Sequence, residues 1–248
     1  MNSKIETEKI VKFIRKYFKE NKLGGVVIGI SGGKDSAVTA ALFAKALKKE
    51  NILGVTMPCH SKQTDKKDAN LIKEKYGFEM IDIDLTNTFN TYKKEIEKLG
   101  NYTNKQLENS DINLKPRLRM STLYYLAALY TKIKGKTYIV AGTGNKCEIY
   151  VGYFTKGGDG MSDINILSNY TVSEVIKIGE YLHVPKEVLY KKPSDGLGKL
   201  TDEEKLGVTY REIEDYLKGN QISKEAEATI KKLHRDNLHK ESIVTLDR

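Results

Sequence analysis

The stretch Val26-Val-Ile-Gly-Ile-Ser-Gly-Gly-Lys-Asp-Ser-Ala-Val38 limits what this chain can fold into more than any other. Val26 to Ile30 is an apolar run bounded by glycine and reads as a buried strand. Ala37, Ala40, Ala41, Leu42, Ala44, Ala46 and Leu47 then give a helix with a small apolar face, beginning near Asp35. Ser31-Gly32-Gly33 therefore occupies a strand-to-helix turn. Residues without Cβ let backbone N–H groups approach a ligand closely, and a helix N-terminus adds partial positive charge. The expected occupant is an anion, with phosphate the leading candidate.

The familiar phosphate loops do not fit. A Walker A loop needs G-x-x-x-x-G-K-[ST], but Gly33-Lys34 is followed by Asp35, and Ile28 stands where the first glycine belongs. The dinucleotide fingerprint G-x-G-x-x-G fails because Ser31 takes its second glycine position. What remains, S-G-G-x-D-S, joins donors for phosphate to a carboxylate that can reach Mg2+. The plainer alternative is a Gly-Gly turn with Asp35 as a helix-start acid.

Strand and helix signals alternate around this turn. Ile10, Phe13, Ile14, Tyr17 and Phe18 recur at helical spacing before Gly24-Gly25. Ile-Leu-Gly-Val-Thr-Met57 is a second strand, residues 63–77 a helix ending at Gly77, and 78–85 a third strand. Helices follow from Thr88 to Leu99 and from about Pro116 to Lys132, and Tyr138 to Gly142 forms a fourth strand. Strands separated by helices imply right-handed crossovers and a doubly wound parallel sheet, Rossmann-like, with its ligand site beyond the strand C-termini. After Glu148 the pattern changes to a glycine-rich loop and a helical C-terminal portion, in which Thr171…Glu174 and Thr209…Glu212 match capping boxes. No linker or repeat divides the chain, so residues 1–248 are expected to form one domain.

The balance of 42 Lys+Arg over 33 Asp+Glu, a net +9, suits anionic ligands but also an ordinary solvated surface. No apolar run approaches a membrane span and the N-terminus lacks an apolar signal core. The expectation is a soluble, cytoplasmic protein with no membrane partner. Cys59 and Cys147 form neither a C-x-x-C pair nor a disulfide framework, so both are expected to be reduced thiols without chemistry.

Two further stretches look chemical. Gly142-Thr-Gly-Asn-Lys-Cys-Glu148 follows the fourth strand and brings Glu148 to the same sheet edge as Asp35; two carboxylates suit a Mg2+ held mainly by phosphates, and the alternative is a helix-start acid. Gly152-Tyr-Phe-Thr-Lys-Gly-Gly-Asp-Gly160 sets Lys156 and Asp159, with Asp163 just beyond, among glycines, as in a mobile lid or a plain surface loop. Arg117 and Arg119 are two apart, so on a helix they point in different directions and at most one meets a given ligand. His239-Lys240 alone means little beyond a solvated tail.

These stretches, together with Asn113-Leu-Lys-Pro-Arg-Leu-Arg-Met120, Pro193-Ser-Asp-Gly-Leu197 and Thr201-Asp-Glu-Glu204, resemble ammonia-dependent NAD synthetase of the ATP-pyrophosphatase superfamily, over nearly the whole chain. The resemblance implies an adenine nucleotide alpha-hydrolase-like fold. It also implies a ligase that amidates deamido-NAD with ammonia and ATP, releasing AMP and pyrophosphate through an acyl-adenylate. It assigns ATP to Gly29, Ile30, Ser31, Gly32, Gly33, Lys34, Asp35, Ser36, Thr143 and Ser194, and Mg2+ to Asp35 and Glu148. Arg117, Lys156, Asp163, His239 and Lys240 would contact deamido-NAD, and Asp159 matches an acid near the ammonia. A homodimer is implied, with no nucleic acid partner. Val172 stands where many relatives carry an ATP-contacting lysine, Ser194 replaces a common threonine, and Met57 precedes Pro58 where an arginine is common.

Two rivals share parts of this pattern. A tRNA-modifying ATP-pyrophosphatase also has S-G-G-x-D-S, but sulfur-using members generally need a reactive cysteine. A non-catalytic adenine-nucleotide module would not require Glu148, Lys156 and Asp159 together. For the nitrogen source, 248 residues filled by sheet, lid and C-terminal helices leave no room for an amidase domain, so ammonia is expected from solvent.

Overall fold

The computed structural model describes residues 1–60, 63–191, 201–243 and 245–246. In chain order the elements are α1 (Ser3–Glu20), β1 (Gly25–Gly29), α2 (Lys34–Ala46), β2 (Ile52–Thr56), α3 (Gln63–Tyr76), β3 (Glu79–Asp82), α4 (Thr86–Glu97), α5 (Asn104–Lys134), β4 (Tyr138–Gly142), α6 (Lys146–Val151), β5 (Ile164–Asn165), α7 (Val172–Tyr181), α8 (Lys186–Leu189), α9 (Asp202–Leu206), α10 (Tyr210–Leu217) and α11 (Lys224–Asn237). A short 3-10 turn, Leu238–Lys240, follows α11. The sheet runs β3-β2-β1-β4-β5 with every pairing parallel, so the doubly wound expectation holds. Order reverses between β1 and β4, where a ligand crevice belongs.

Alternation along the central strands builds two cores. Val26, Ile28, Ile139 and Ala141 face one side, under α1, α2 and α7; Val27, Tyr138 and Val140 face the other, under α4 and α5. A third cluster, Cys147, Val151, Leu206, Val208, Ile213 and Ile230, seats α6 against α9, α10 and α11. The C-terminal helices are thereby fixed beside the loop that follows β4.

Two expectations are corrected. A fifth strand, Ile164–Asn165, extends the sheet where only loop and helix were expected; two residues are too few to show a period. The helix placed from about Pro116 begins instead at Asn104, because Thr103 and Gln106 form a reciprocal capping box, and it continues through Pro116. Proline favours the first turn of a helix, which made residue 116 resemble a start.

Gly24-Gly25 ends a helix in the sequence reading, but packing decides both positions. A Cβ on Gly24 would lie 2.2 Å from Lys136 Cβ, and one on Gly25 would lie 2.3 Å from the Tyr138 ring and 2.6 Å from Asn51 O. Gly25→Ala should therefore cost about 1–3 kcal/mol through overpacking, read as a lower urea midpoint with an unchanged slope. A midpoint equal to wild type would mean that β1 and β4 have slack.

Candidate active site

The turn after β1 is built by its own hydroxyls. Gly32 has φ +78°, a left-handed conformation that suits glycine. Ser36, only 2% exposed, accepts from Ser31 N–H at 3.2 Å and donates to Gly33 O at 3.0 Å. With that proton committed, the Ser31 hydroxyl donates to Ser36 Oγ at 3.0 Å and accepts from Gly33 N–H at 3.2 Å. Ser36 thus shapes the loop from inside. Ile30 also serves the frame: its side chain is buried and its N–H donates to Val55 O at 2.8 Å. Gly29 ends β1, in register with Val55.

Asp35 and Glu148 come together through Asn145. This asparagine has no exposed surface, and its Oδ1 accepts from Cys147 N–H at 3.0 Å and Glu148 N–H at 3.1 Å. Its own N–H donates to Glu148 Oε2 at 3.0 Å, while its Nδ2 donates to Asp35 Oδ1 at 3.3 Å. Glu148 is therefore a helix-start acid in a capping box and a neighbour of Asp35 at once, so the two sequence readings are compatible. Asn145 itself was missed as a site residue; its signal was N-x-x-E at the helix start. Thr143 lies in the same loop after β4.

Lys34 points its amine into this acid cleft. The residue is 6% exposed, and Nζ bonds Asp35 Oδ2 at 2.9 Å. Burial opposes its charge, but Asp35, Glu148 and Asp202 outweigh that and raise its pKa. Nζ also stands 5.8 Å from the Tyr210 ring centroid, and Asp202 accepts from Tyr153 Oη at 3.1 Å. Glu148 is raised too, which for a carboxylate favours the neutral form: burial first, then Asp35, push it from the ordinary 4.5 to about 8 against the opposing pull of Lys34.

The glycine-rich loop of residues 152–160 forms the outer wall; Gly157 serves its left-handed backbone, φ +71° with open space around it, while Gly152, Gly158 and Gly160 answer close packing. A Cβ on Gly160 would lie 2.3 Å from the Phe154 ring, one on Gly158 3.1 Å from Pro116, and one on Gly152 2.2 Å from Asn237. Thr155 anchors it, donating to Asn113 Oδ1 at 2.8 Å through its hydroxyl and to Asp159 Oδ1 at 2.9 Å through its N–H. Surrounding protein raises the Asp159 carboxyl pKa, with Arg119 and Lys240 pulling against it. Arg117 and Arg119 diverge as expected: Arg117 Nε donates to Lys156 O at 3.4 Å, and Arg119 Nε to Met57 O at 3.2 Å beside Pro58.

The C-terminal turn closes on this loop. Lys156 Nζ bonds His239 O, and Ser242 O at 2.8 Å; Lys240 Nζ bonds Gly152 O at 2.8 Å and Phe154 O at 3.0 Å. His239 is exposed. Asp163 is tied to the sheet, accepting from Val140 N–H at 2.8 Å and Tyr124 Oη at 3.1 Å. Ser194 and the surrounding 193–197 motif lie outside the described residues. Val172 packs into the third core cluster.

A phosphate-type turn between strand and helix, with acids from the loops after two adjacent strands meeting at the switch point, marks a doubly wound α/β protein with an anion and cation site at that edge. Comparison with known proteins narrows this. Residues 6–246 match the family model for NAD synthase. The chain is 39% identical over 245 residues to the NH(3)-dependent NAD(+) synthetase of Carboxydothermus hydrogenoformans, covering 98% of this chain and 97% of that protein. It is also similar to the solved NMN synthetase of Francisella tularensis (35% identity, TM-score 0.90, 100% and 99% of the two chains). The NH3-dependent NAD synthetase of Campylobacter jejuni, solved with nitrate, aligns at 28% identity with TM-score 0.78 over the whole of both chains. The chain belongs to the NAD synthase family.

The raised Glu148 carboxyl couples stability to pH. Between pH 4.5 and about 8 the folded chain holds a proton that the unfolded chain has released, so this group makes stability fall as pH rises through that window. E148Q keeps an acceptor for Asn145 N–H but cannot ionise. In EDTA its Tm should fall less than wild type between about pH 6 and about pH 8; parallel curves would show that Glu148 ionises normally.

Proposed function

We infer that this chain amidates the carboxylate of a deamidated nicotinamide nucleotide, deamido-NAD, with ammonia and ATP, giving NAD, AMP and pyrophosphate. The observation that carries it is the Asp35–Asn145–Glu148 bridge beside the Ser31–Ser36 turn, in a chain of this family. A carboxylate is a poor acyl donor, so its oxygen first attacks the α-phosphorus of ATP. The bond to pyrophosphate breaks and an acyl-adenylate forms; ammonia then adds to the acyl carbon and AMP leaves. The turn, shaped by the Ser31 and Ser36 hydroxyls, would bind the phosphates through its other N–H groups, with Thr143 and Ser194.

Asp35 and Glu148 fit Mg2+: two hard oxygen donors, tied to one buried asparagine, that phosphate oxygens would complete. Bound there, the ion would offset charge developing on the leaving pyrophosphate. Arg117, Lys156, His239 and Lys240 would bind the nucleotide substrate at the outer wall, with Asp163 orienting that edge through Tyr124 and β4. Asp159, its carboxyl pKa raised, would hold ammonium and take a proton from it. The buried thiols of Cys59 and Cys147 are pushed up in pKa by burial, Cys147 to about 11, which speaks against a sulfur-transferring tRNA modifier. Among the described residues no helix is long and apolar enough to cross a membrane, in keeping with a cytoplasmic setting.

One observation favours a second acceptor. The similar Francisella protein is described as an NMN synthetase, so the mononucleotide with a free carboxylate is a rival to deamido-NAD. The deciding assay measures AMP and pyrophosphate release with each acceptor, with tRNA, and with none. Faster turnover of deamido-NAD supports the first reading, and turnover of the mononucleotide alone replaces it. Glutamine as sole nitrogen source, with ammonium scavenged, should give no amide; robust turnover there would sink ammonia dependence.

A homodimer is proposed as well. Tyr125, Leu129 and Ile133 recur every fourth residue along α5, 72%, 42% and 62% exposed, an apolar stripe suited to a second copy. Leu129→Glu should shift the mass measured by light scattering to the monomer; an unchanged dimer would move the interface elsewhere. D35N should lower kcat about a hundredfold or more. Lys156→Ala should lower kcat/KM about tenfold or more, against little change for the exposed Lys12→Ala. Near-normal D35N at saturating Mg2+ would refute the metal assignment.

A further inference from the structure

Lys34 is the least conventional member of the cleft. A lysine buried to 6% exposure is seldom tolerated unless paired, and this one pairs within a cleft whose other charges are acids. Its Nζ bonds one oxygen of Asp35, whose other oxygen is bonded by Asn145, the residue that also bonds Glu148. The Asp202 carboxylate, bonded by Tyr153, also favours the Lys34 charge. Tyr210 covers the amine with its ring, and the Tyr210 hydroxyl, on a residue 4% exposed, has no hydrogen-bond partner among the described residues. Among the described residues no three His, Cys, Asp or Glu side chains converge as a ready metal cage. The Tyr210 hydroxyl is thus an unspent donor near the lysine-capped acids, open to a ligand that enters.

We propose that Lys34 is a resident cation of the active site: in the free chain its ammonium holds Asp35 and offsets the neighbouring acids, so that a divalent cation binds only together with the phosphates of ATP. The Asp35 carboxylate is costly to leave bare, because removing one partner of a largely buried ion pair leaves an uncompensated charge. A divalent ion entering alone would have to displace an ammonium already bonded at 2.9 Å. Arriving with a triphosphate it brings anionic oxygens, which give Lys34 a new partner as Asp35 turns to the metal. The residue then also serves as a phosphate contact, in a chain whose position 172 holds valine.

This inference rests on the metal assignment above but not on turnover, and its test needs no substrate amidation. Mn2+ is titrated into the free protein and followed by electron paramagnetic resonance. Wild type should bind it no tighter than about millimolar, Lys34→Met at least about tenfold tighter, and Lys34→Arg like wild type. Adding D35N to Lys34→Met should abolish the gain. In EDTA, Lys34→Met should melt below wild type and recover with Mn2+, whereas wild type should not respond. Equal Mn2+ affinity in wild type and Lys34→Met overturns the proposal, as does micromolar Mn2+ binding to free wild type, a measurement that holds even if the variant fails to fold. Absence of amidation activity with these Mn2+ results intact would fault the proposed reaction and leave Lys34's role standing.

Discussion

Asn145 is fully buried, and its amide works in two directions while its backbone N–H works in a third. Through Oδ1 it starts α6; through its N–H it fixes Glu148; through Nδ2 it reaches Asp35 at the start of α2. An aspartate there could cap the helix but could not donate to Asp35, and it would add a third negative charge. A serine could cap but is too short to span to α2. The loops after β1 and β4 would each fold without this bond. Only with it do their acids form one site, and the C-terminal helices, packed on α6, take their place from the same anchor.

The cleft carries strong charge of both signs in little water. Glu148 is raised by burial and by Asp35, while Lys34 is held charged by the same acids. Such an arrangement is costly when any one member is removed and nearly balanced when all are present. That balance lets an anion and its counter-ion be exchanged for internal partners without leaving a bare charge at any step. The turn's hydroxyls follow the same logic, because Ser31 and Ser36 satisfy each other and leave the shape of the anion hole independent of its occupant.

Much of this was legible in the sequence because it depends on local rules. The strand-turn-helix of Val26 to Val38, the parallel order and the capping boxes at Thr171 and Thr209 follow from period, glycine and short side-chain hydrogen bonds. Asp35 and Glu148 could be singled out as candidates because each opens the helix that follows a strand. What was not legible depends on contacts distant in sequence. Asn145 to Asp35 spans 110 residues, and no local pattern announces that Lys34 turns inward under Tyr210. The glycines of residues 152–160 were open to reading as mobility, but a Cβ on Gly158, Gly160 or Gly152 would meet Pro116, Phe154 or Asn237, which only the folded chain brings near. Pro116 misled because proline favours a helix's first turn, whereas here it sits inside α5.

The outer wall gives the site its remaining constraint. Lys156 from the loop reaches carbonyls of the C-terminal turn, and Lys240 from that turn reaches carbonyls of the loop, so each segment lends the other its ammonium. Neutral carbonyls are modest acceptors for a full charge, and phosphate oxygens are better ones. On the proposed function, a nucleotide entering between the two segments would draw both lysines from the backbone without leaving either unpaired. Loop and tail are thereby coupled, because moving one ammonium loosens the strap that holds the other. Lys34 repeats the same device at the floor of the cleft, with Asp35 in place of a carbonyl. At both ends of the site, then, internal partners hold the cationic groups in position, and on the proposed function a more strongly anionic ligand would replace them.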